Sequence, residues 1–192
     1  MKRLFDFILS FIGFILLIPV FSIVAILIKL NTPGPVFFFQ ERIGLKGKPF
    51  MIYKFRSMIV NKKNNSLITV GNHDSRITKV GYYLRKYKLD ELPQLCNVII
   101  GDMSLVGPRP EVSKYVDLYT INQREVLDLK PGITDMASIK YRNENEILAK
   151  ELKPEEFYIN QIMPDKIRIN LFYKSKTNSV IGSIDVILKT IF

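Results

Sequence analysis

The 192 residues contain no tryptophan, a single cysteine and a single histidine. Cys96 alone cannot close an internal disulfide or build a cysteine-ligated zinc cluster, which fits a reducing compartment. His73 alone leaves little scope for a histidine metal site or a Ser-His-Asp triad. Negative charge is also scarce: 18 Asp and Glu face 28 Lys and Arg, for a formal net charge of +10. The first thirty residues hold +2 of this (Lys2, Arg3 and Lys29 against Asp6), leaving +8 on the rest. Such an excess suits an anionic partner: nucleic acid, lipid headgroups or a nucleotide. The length suits one modest domain plus an appendage, and there is no internal repeat or low-complexity tract.

What is abundant is apolar sequence at the start. Leu4 to Ile28 is interrupted only by Asp6, Ser10, Gly13, Pro19 and Ser22. As one straight helix at about 1.5 Å per residue it would reach roughly 37 Å, enough for a bilayer core of about 30 Å. Pro19, however, has no N–H and its ring clashes with the carbonyl of Ile15. The arms on either side, about 15 and 9 residues, reach only roughly 22 and 14 Å, each short of a crossing. Cations lie at both ends, which places both flanks on the cytoplasmic face. The expectation is a re-entrant helix-break-helix over residues 1–30, with Asp6 paired to Arg3 one turn earlier. A plain transmembrane anchor is the alternative, since spanning helices tolerate proline. A cleaved signal peptide fits less well, because the run is too long and no A-x-A-like site follows.

Residues 31–192 then read as the second unit, a domain with amphipathic helices suited to an interface. Asn31-Thr-Pro-Gly-Pro35 ends the apolar element. Val36–Ile43 and Phe50–Met58 read as strands joined by the turn Gly44–Lys48, a hairpin. Alternation puts Ile52, Lys54 and Arg56 on one face, where the two cations could grip a phosphate or simply be solvated. Asn61–Ser66 is a polar loop. Arg76, Lys79, Arg85, Lys86 and Lys88 follow with Tyr82, Tyr83 and Tyr87 among them. That mixture suits nucleic acid or a helix on anionic headgroups with tyrosines at the interface. No zinc-finger, RNP-type or helix-turn-helix signature accompanies it, so no nucleic-acid partner is expected. Helices are expected over Glu111–Leu127, with Val112, Tyr115 and Tyr119 inward, and over Pro154–Met163. A C-terminal stripe of Val180, Ile181, Ile184, Ile187, Leu188 and Ile191 either packs on the domain or rests on the membrane. The fold class is α/β, mostly helical with a small β-hairpin.

Leu89–Pro110, LDELPQLCNVIIGDMSLVGPRP, carries the chemistry. Leu92, Leu95 and Ile99 recur at helical spacing, so a helix begins near Asp90, with Pro93 in its first turn. Asp90 is then either an N-cap or a nucleophile, since a carboxylate can attack phosphorus to form an acyl phosphate. Attack on an anion needs nearby positive charge, usually a divalent cation and arginines; oxygen ligands and phosphates favour Mg²⁺. Glu91 could hold that cation, and Arg109, fixed between Pro108 and Pro110, could grip a phosphate at two points. Asp102 is a second metal contact or the turn after Gly101.

These segments occur in a telling order: KRLFDF, the Pro-broken apolar run, PGPVFF, QERIGLKGKPFMIYKFRSM, Asp74-Ser-Arg-Ile-Thr-Lys-Val-Gly81, LRKYKLDELPQLCNVIIGDMSLVGPRPE and KPGIT. From Lys2 to about Thr134 the chain resembles the bacterial sugar transferases called monotopic phosphoglycosyl transferases. It looks like their minimal catalytic unit, without the extra N-terminal membrane helices of longer relatives. The resemblance implies transfer of sugar-1-phosphate from a UDP-sugar to a polyprenyl phosphate, with release of UMP, at the cytoplasmic face of the bacterial inner membrane. It implies Asp90 as nucleophile, Glu91 as its Mg²⁺-linked partner and Arg109 in the active site. Lys54, Arg56, Arg76 and Arg85 are further phosphate candidates, and a homodimer is compatible with the pattern. One stretch departs from it. Where many relatives read Gly-Trp-Ala-Gln and then Asn-Gly-Arg, this chain has Asp135-Met-Ala-Ser-Ile-Lys-Tyr-Arg-Asn143, in which Arg142 could keep the arginine's role. A non-enzymatic membrane adaptor with a basic lipid-binding face is the alternative function.

Overall fold

The apolar run forms one helix, α1 (Lys2–Asn31), with Pro19 inside it. In a computed structural model, which describes residues 1–59 and 74–191, the helix continues through Pro19 instead of breaking there. The ring removes one backbone donor, yet its fixed φ is helical, so the turns on either side persist. Those turns are fastened at both ends to the rest of the chain. At the start, Arg3 donates to the carbonyls of Val98 and Ile99, and Lys2 donates to Ser104 and to the Val106 carbonyl. The partner of Asp6 is Lys2 at 3.2 Å, not Arg3, whose guanidinium is held by those carbonyls. At the far end, Val24 and Ile28 pack with Phe55 and Leu84. The outward face, including Leu4, Phe11, Leu16, Ile23 and Leu30, is exposed. By length and composition α1 could cross a membrane.

The hairpin forms as its alternation predicts. β1 (Phe37–Ile43) pairs antiparallel with β2 (Pro49–Phe55), Phe37 opposite Phe55 and Ile43 opposite Pro49. The predicted loop Asn61–Ser66 and His73 lie outside the described residues. Thr78 caps α2 (Lys79–Lys86) by accepting from the Gly81 N–H at 2.8 Å. A short 3₁₀ turn, Leu89–Glu91, leads into α3 (Gln94–Ile100), which Gly101 closes in the left-handed conformation. Asp102 lies in the turn that follows.

β3 (Ser104–Val106) pairs parallel with a strand from a distant segment, Gly132–Thr134. The expected helix over 111–127 is shorter: only α4 (Ser113–Val116) and a 3₁₀ segment, Gln123–Asp128, are helical. Thr120 and Gln123 form a reciprocal capping box at the start of the 3₁₀ segment, the N–H of each meeting the other's side chain at 2.9 and 3.3 Å. Val112, Tyr115 and Tyr119 are buried as expected. The second parallel strand, Gly132–Thr134, is β4, followed by α5 (Met136–Lys140), α6 (Glu144–Leu148) and α7 (Pro154–Phe157). After α7 the helix runs on through a π segment, Tyr158–Ile162, into α8 (Met163–Phe172), well past the expected end. α9 (Lys174–Thr177) and α10 (Val180–Ile191) complete the chain.

The C-terminal stripe divides between two environments. α10 buries Gly182, Ser183 and Val186, with Ile187 partly packed on the core, while Ile181, Ile184 and Leu188 face outward. Val186 joins Ile52, Val98, Met103 and Val106 in the cluster beneath the central motif. A second cluster, with Tyr115, Leu148, Tyr158 and Ile162, lies under the C-terminal helices.

Candidate active site

β2 and α3 are held together by one side chain. Asn97, fully buried on α3, donates from Nδ2 to the Met51 carbonyl at 2.7 Å and accepts the Tyr53 N–H on Oδ1 at 3.0 Å. It completes the hydrogen bonding of an unpaired strand edge as a neighbouring strand would. Lys54, the next residue, then meets Glu91: Nζ donates to Oε1 at 3.1 Å.

Arg109 reaches the same carboxylate from the other side. Its Nη1 donates to Glu91 Oε2 at 2.9 Å and its Nη2 to Oε1, a two-point pair. Backbone contacts fix the segment that carries Arg109. The Gly132 N–H donates to the Pro108 carbonyl and the Gly107 N–H to the Thr134 carbonyl, each at 3.0 Å. These glycines touch backbone to backbone, and a Cβ on Gly132 would lie 2.0 Å from the Gly107 nitrogen. Arg42 donates to the Pro110 carbonyl at 3.2 Å, and the Ile43 N–H to the Glu111 carbonyl at 2.8 Å. The Arg109 side chain keeps 35% of its surface exposed, so a ligand can reach it.

Asp90 differs from its neighbour. No side-chain cap hydrogen bond forms at the start of the 3₁₀ turn or of α3, so Asp90 is not an N-cap. It is buried and, among the described residues, makes no hydrogen bond. Burial, and then the Glu91 charge, raise its pKa above the ordinary aspartate value, while Lys54, Arg85 and Arg109 pull the other way. For Glu91, burial favours the neutral form, but Arg109 and Lys54 outweigh it and hold the carboxyl well below its usual range. Burial pushes the Lys54 ammonium below its ordinary value, against the pull of Glu91. The result is an ionised Glu91, with two contacts on Oε1 and one on Oε2 that leaves this oxygen further acceptor capacity, beside an Asp90 with no fixed partner.

The other expected phosphate ligands are placed as follows. Arg85 is half-buried, its side chain makes no hydrogen bond among the described residues, and it lies near enough to Asp90 to lower its pKa. Arg76 pairs with Asp74, with Nη2 at 2.6 Å from Oδ2. Arg56 is buried and donates to the carbonyls of Pro33 and Thr32, fastening the chain just after α1. Arg142 is exposed and donates to the Thr190 carbonyl at 2.7 Å near the end of α10. Asp90, Glu91, Lys54 and Arg109 are therefore the group brought together, with Arg85 at its edge.

Two residues of this region escaped the sequence reading as site components. Asn97 carried a signal, a polar residue inside an apolar helical pattern. Asp135 is also buried, and accepts the Arg109 N–H on Oδ2 at 2.9 Å. Its place directly after KPGIT, where the motif departs, was the available clue.

A hairpin strand, a helix turn and a proline-flanked loop thus bring two adjacent carboxylates against a lysine and an arginine, in a chain whose first helix is long and apolar enough to cross a membrane. A family profile described as bacterial sugar transferase matches residues 1–192, and the chain belongs to that family. It is 40% identical over 170 residues to UDP-glucose:undecaprenyl-phosphate glucose-1-phosphate transferase of Escherichia coli (strain K12), a match covering 84% of this chain and 36% of that protein. It is 42% identical over 144 residues to UDP-N-acetylgalactosamine-undecaprenyl-phosphate N-acetylgalactosaminephosphotransferase of Aeromonas hydrophila, covering 72% of this chain and 33% of the relative. The exopolysaccharide production protein ExoY of Sinorhizobium fredii (strain NBRC 101917 / NGR234) is 38% identical over 158 residues, covering 74% of this chain and 70% of its own length. The chain thus spans about a third of the length of the first two relatives.

Proposed function

We propose that this chain transfers sugar-1-phosphate from a UDP-sugar to a polyprenyl phosphate such as undecaprenyl phosphate, starting a lipid-linked glycan. The observation that carries the reading is Asp90, buried without a hydrogen-bond partner beside the Lys54–Glu91–Arg109 cluster. Membership of the sugar transferase family and the activities for which the relatives are named support it.

In the first step an Asp90 oxygen attacks the sugar-bearing phosphorus of the UDP-sugar. The bond to the bridging oxygen breaks, UMP leaves with that oxygen, and the sugar phosphate remains on Asp90 as an acyl phosphate. In the second step a phosphate oxygen of the polyprenyl phosphate attacks the same phosphorus. Asp90 is regenerated as a carboxylate, and the product is a polyprenyl-diphosphate sugar. One phosphoanhydride replaces another, so no external energy source is required. A raised pKa suits the role of Asp90, since in its ionised form a more basic carboxylate is a better nucleophile. Arg109, and Arg85 at the edge, offset the charge of the donor phosphates.

The site also fits a divalent cation of the Mg²⁺ type. Glu91 is kept ionised next to a second carboxylate, and such sites take one or two carboxylates with substrate phosphates completing the shell. Glu91 would hold the cation, which would supply charge neutralisation at the phosphates.

Both ends of α1 are fastened to one domain, which favours a helix dipping into one leaflet over one that crosses. The catalytic domain then lies on the cytoplasmic face of the inner membrane, where a lipid-bound phosphate surfaces beside Asp90. Incubating the purified chain with Mg²⁺, undecaprenyl phosphate and a panel of UDP-sugars tests the reading. UMP release with a sugar-phosphate adduct on Asp90 by mass spectrometry supports it; UDP release, or no nucleotide release with any sugar, overturns it. Labelling of cysteines placed near Met1 and Thr32 from both faces tests the topology, since access from opposite faces means the helix crosses.

A further inference from the structure

Pro108-Arg109-Pro110 has a peculiarity that its sequence dictates: of its three residues only Arg109 has a backbone N–H. That donor is the one handle by which a neighbouring acceptor can hold the Arg109 peptide unit. In this chain the acceptor is a side chain. Asp135 Oδ2 takes the Arg109 N–H at 2.9 Å. The same oxygen accepts Asn170 Nδ2 from α8 at 3.2 Å, and Oδ1 accepts the Ser138 N–H at the start of α5. Asp135 is 1% exposed and Asn170 is 5% exposed, so water does not compete for these bonds. A buried carboxylate with every contact a donor is held in one orientation, and it transmits that orientation to Arg109.

We infer that Asp135, oriented by Asn170, is a positioning residue for the Arg109 clamp, so that α5 and α8 help set where the donor phosphates are gripped. The inference rests on the proposed role of Arg109 at the substrate. Asp135 touches no substrate itself; it fixes the backbone from which the guanidinium reaches Glu91 and the ligand. A guanidinium at the end of a long side chain amplifies small rotations of its Cα, and two-point recognition tolerates little misalignment.

The N-capping and positioning roles of Asp135 use different oxygens, so variants of the full chain can separate them. Asp135→Ser keeps a capping hydroxyl for the Ser138 N–H but loses the oxygen on Arg109. Ser138→Pro removes the capped N–H in the first turn, where proline is tolerated, and leaves the Arg109 contact intact. UDP binding is read by calorimetry in detergent with Mg²⁺, alongside the thermal midpoint. Asp135→Ser is expected to weaken UDP binding by about 10- to 100-fold, the range of one lost charge-assisted hydrogen bond. In the Arg109→Ala background the same change is expected to leave the remaining affinity unaltered, because the side chain it positions is gone. Ser138→Pro should bind UDP as the unaltered chain does.

Equal losses with and without Arg109, or a loss reproduced by Ser138→Pro, would mean that Asp135 only supports the fold, and would overturn the inference. Should Asp135→Ser unfold, Asn170→Ala reads the same coupling from the other side of the carboxylate. It is expected to weaken UDP binding only when Arg109 is present, and no change would overturn the inference. If Arg109→Ala alone binds UDP as tightly as the unaltered chain, the clamp itself is wrong and the inference falls with it. If Arg109→Ala binds weakly while Asp135→Ser binds normally, the clamp stands and the positioning role alone is rejected.

Discussion

Glu91 and Arg109 meet at two points, Nη1 on Oε2 at 2.9 Å and Nη2 on Oε1, and Lys54 donates to the same carboxylate. Neighbouring Asp90 has none of these contacts. Two adjacent carboxylates are thereby pushed in opposite directions, Glu91 toward permanent charge and Asp90 toward a more basic oxygen. Divergent environments of this kind are how paired acids acquire different roles.

Asp90→Asn is expected to abolish turnover and also to stabilise the fold at neutral pH. The folded pKa of Asp90 lies above its ordinary value of 3.8, so ionisation at this position opposes folding. Removing the charge is therefore favourable above the raised pKa, and the benefit fades as pH falls through it and vanishes below 3.8, where both states are protonated. Thermal melts across pH, with activity measured in parallel, check this. A melting temperature lowered at pH 7 would contradict the burial and repulsion described for Asp90.

Glu91→Gln leaves Arg109 and Lys54 facing a neutral amide and should destabilise the chain by about 1–3 kcal/mol in denaturant unfolding. The sign with pH is opposite to that for Asp90. A depressed folded pKa contributes stability that is full above the ordinary glutamate value of 4.5 and is lost as pH falls through the lower folded value. The two proteins should therefore converge in stability only on strong acidification. A gap that does not change with pH would point to packing as its source.

Turnover should show an acid limb governed by Asp90, because only the carboxylate attacks phosphorus. In a profile of kcat/KM against pH, activity should fall below a pKa higher than 3.8, with Glu91 still ionised there. A limb at or below the ordinary aspartate value would assign it to another group.

Arg56→Ala should lower the thermal midpoint, by about 1–3 kcal/mol in unfolding free energy, through loss of the bonds to the Pro33 and Thr32 carbonyls. The KM for UDP-sugar should remain that of the unaltered chain. A raised KM with an unchanged midpoint would instead return Arg56 to the phosphate ligands that its strand face suggested.

Much of this was legible in the residues. The hairpin register follows from alternation, and the adjacency of Asp90, Glu91 and Arg109 follows from one motif. Three things departed from that reading. The break expected at Pro19 did not appear, because tertiary fastening at Lys2, Arg3 and Thr32 holds the helical turns that local sterics disfavour. The helix expected to continue to Leu127 stops early, although Thr120 and Gln123 were spaced as a capping box and could have been read as one. The β3–β4 pair joins segments almost thirty residues apart through glycine backbones, and neither strand is long enough to show a period. Arg56 and Arg142 illustrate a general ambiguity: a cation on the right face serves a carbonyl as readily as a phosphate.

Because α1 is anchored at both extremities, its residue count is effectively indexed. Inserting or deleting one amino acid anywhere between Arg3 and Thr32 would turn one anchor by about 100° relative to the other. Either the greasy surface would then point the wrong way or one fastening would be torn loose. A swap of side chain leaves that spacing untouched, whereas a change of length must be absorbed by one of the two fastenings.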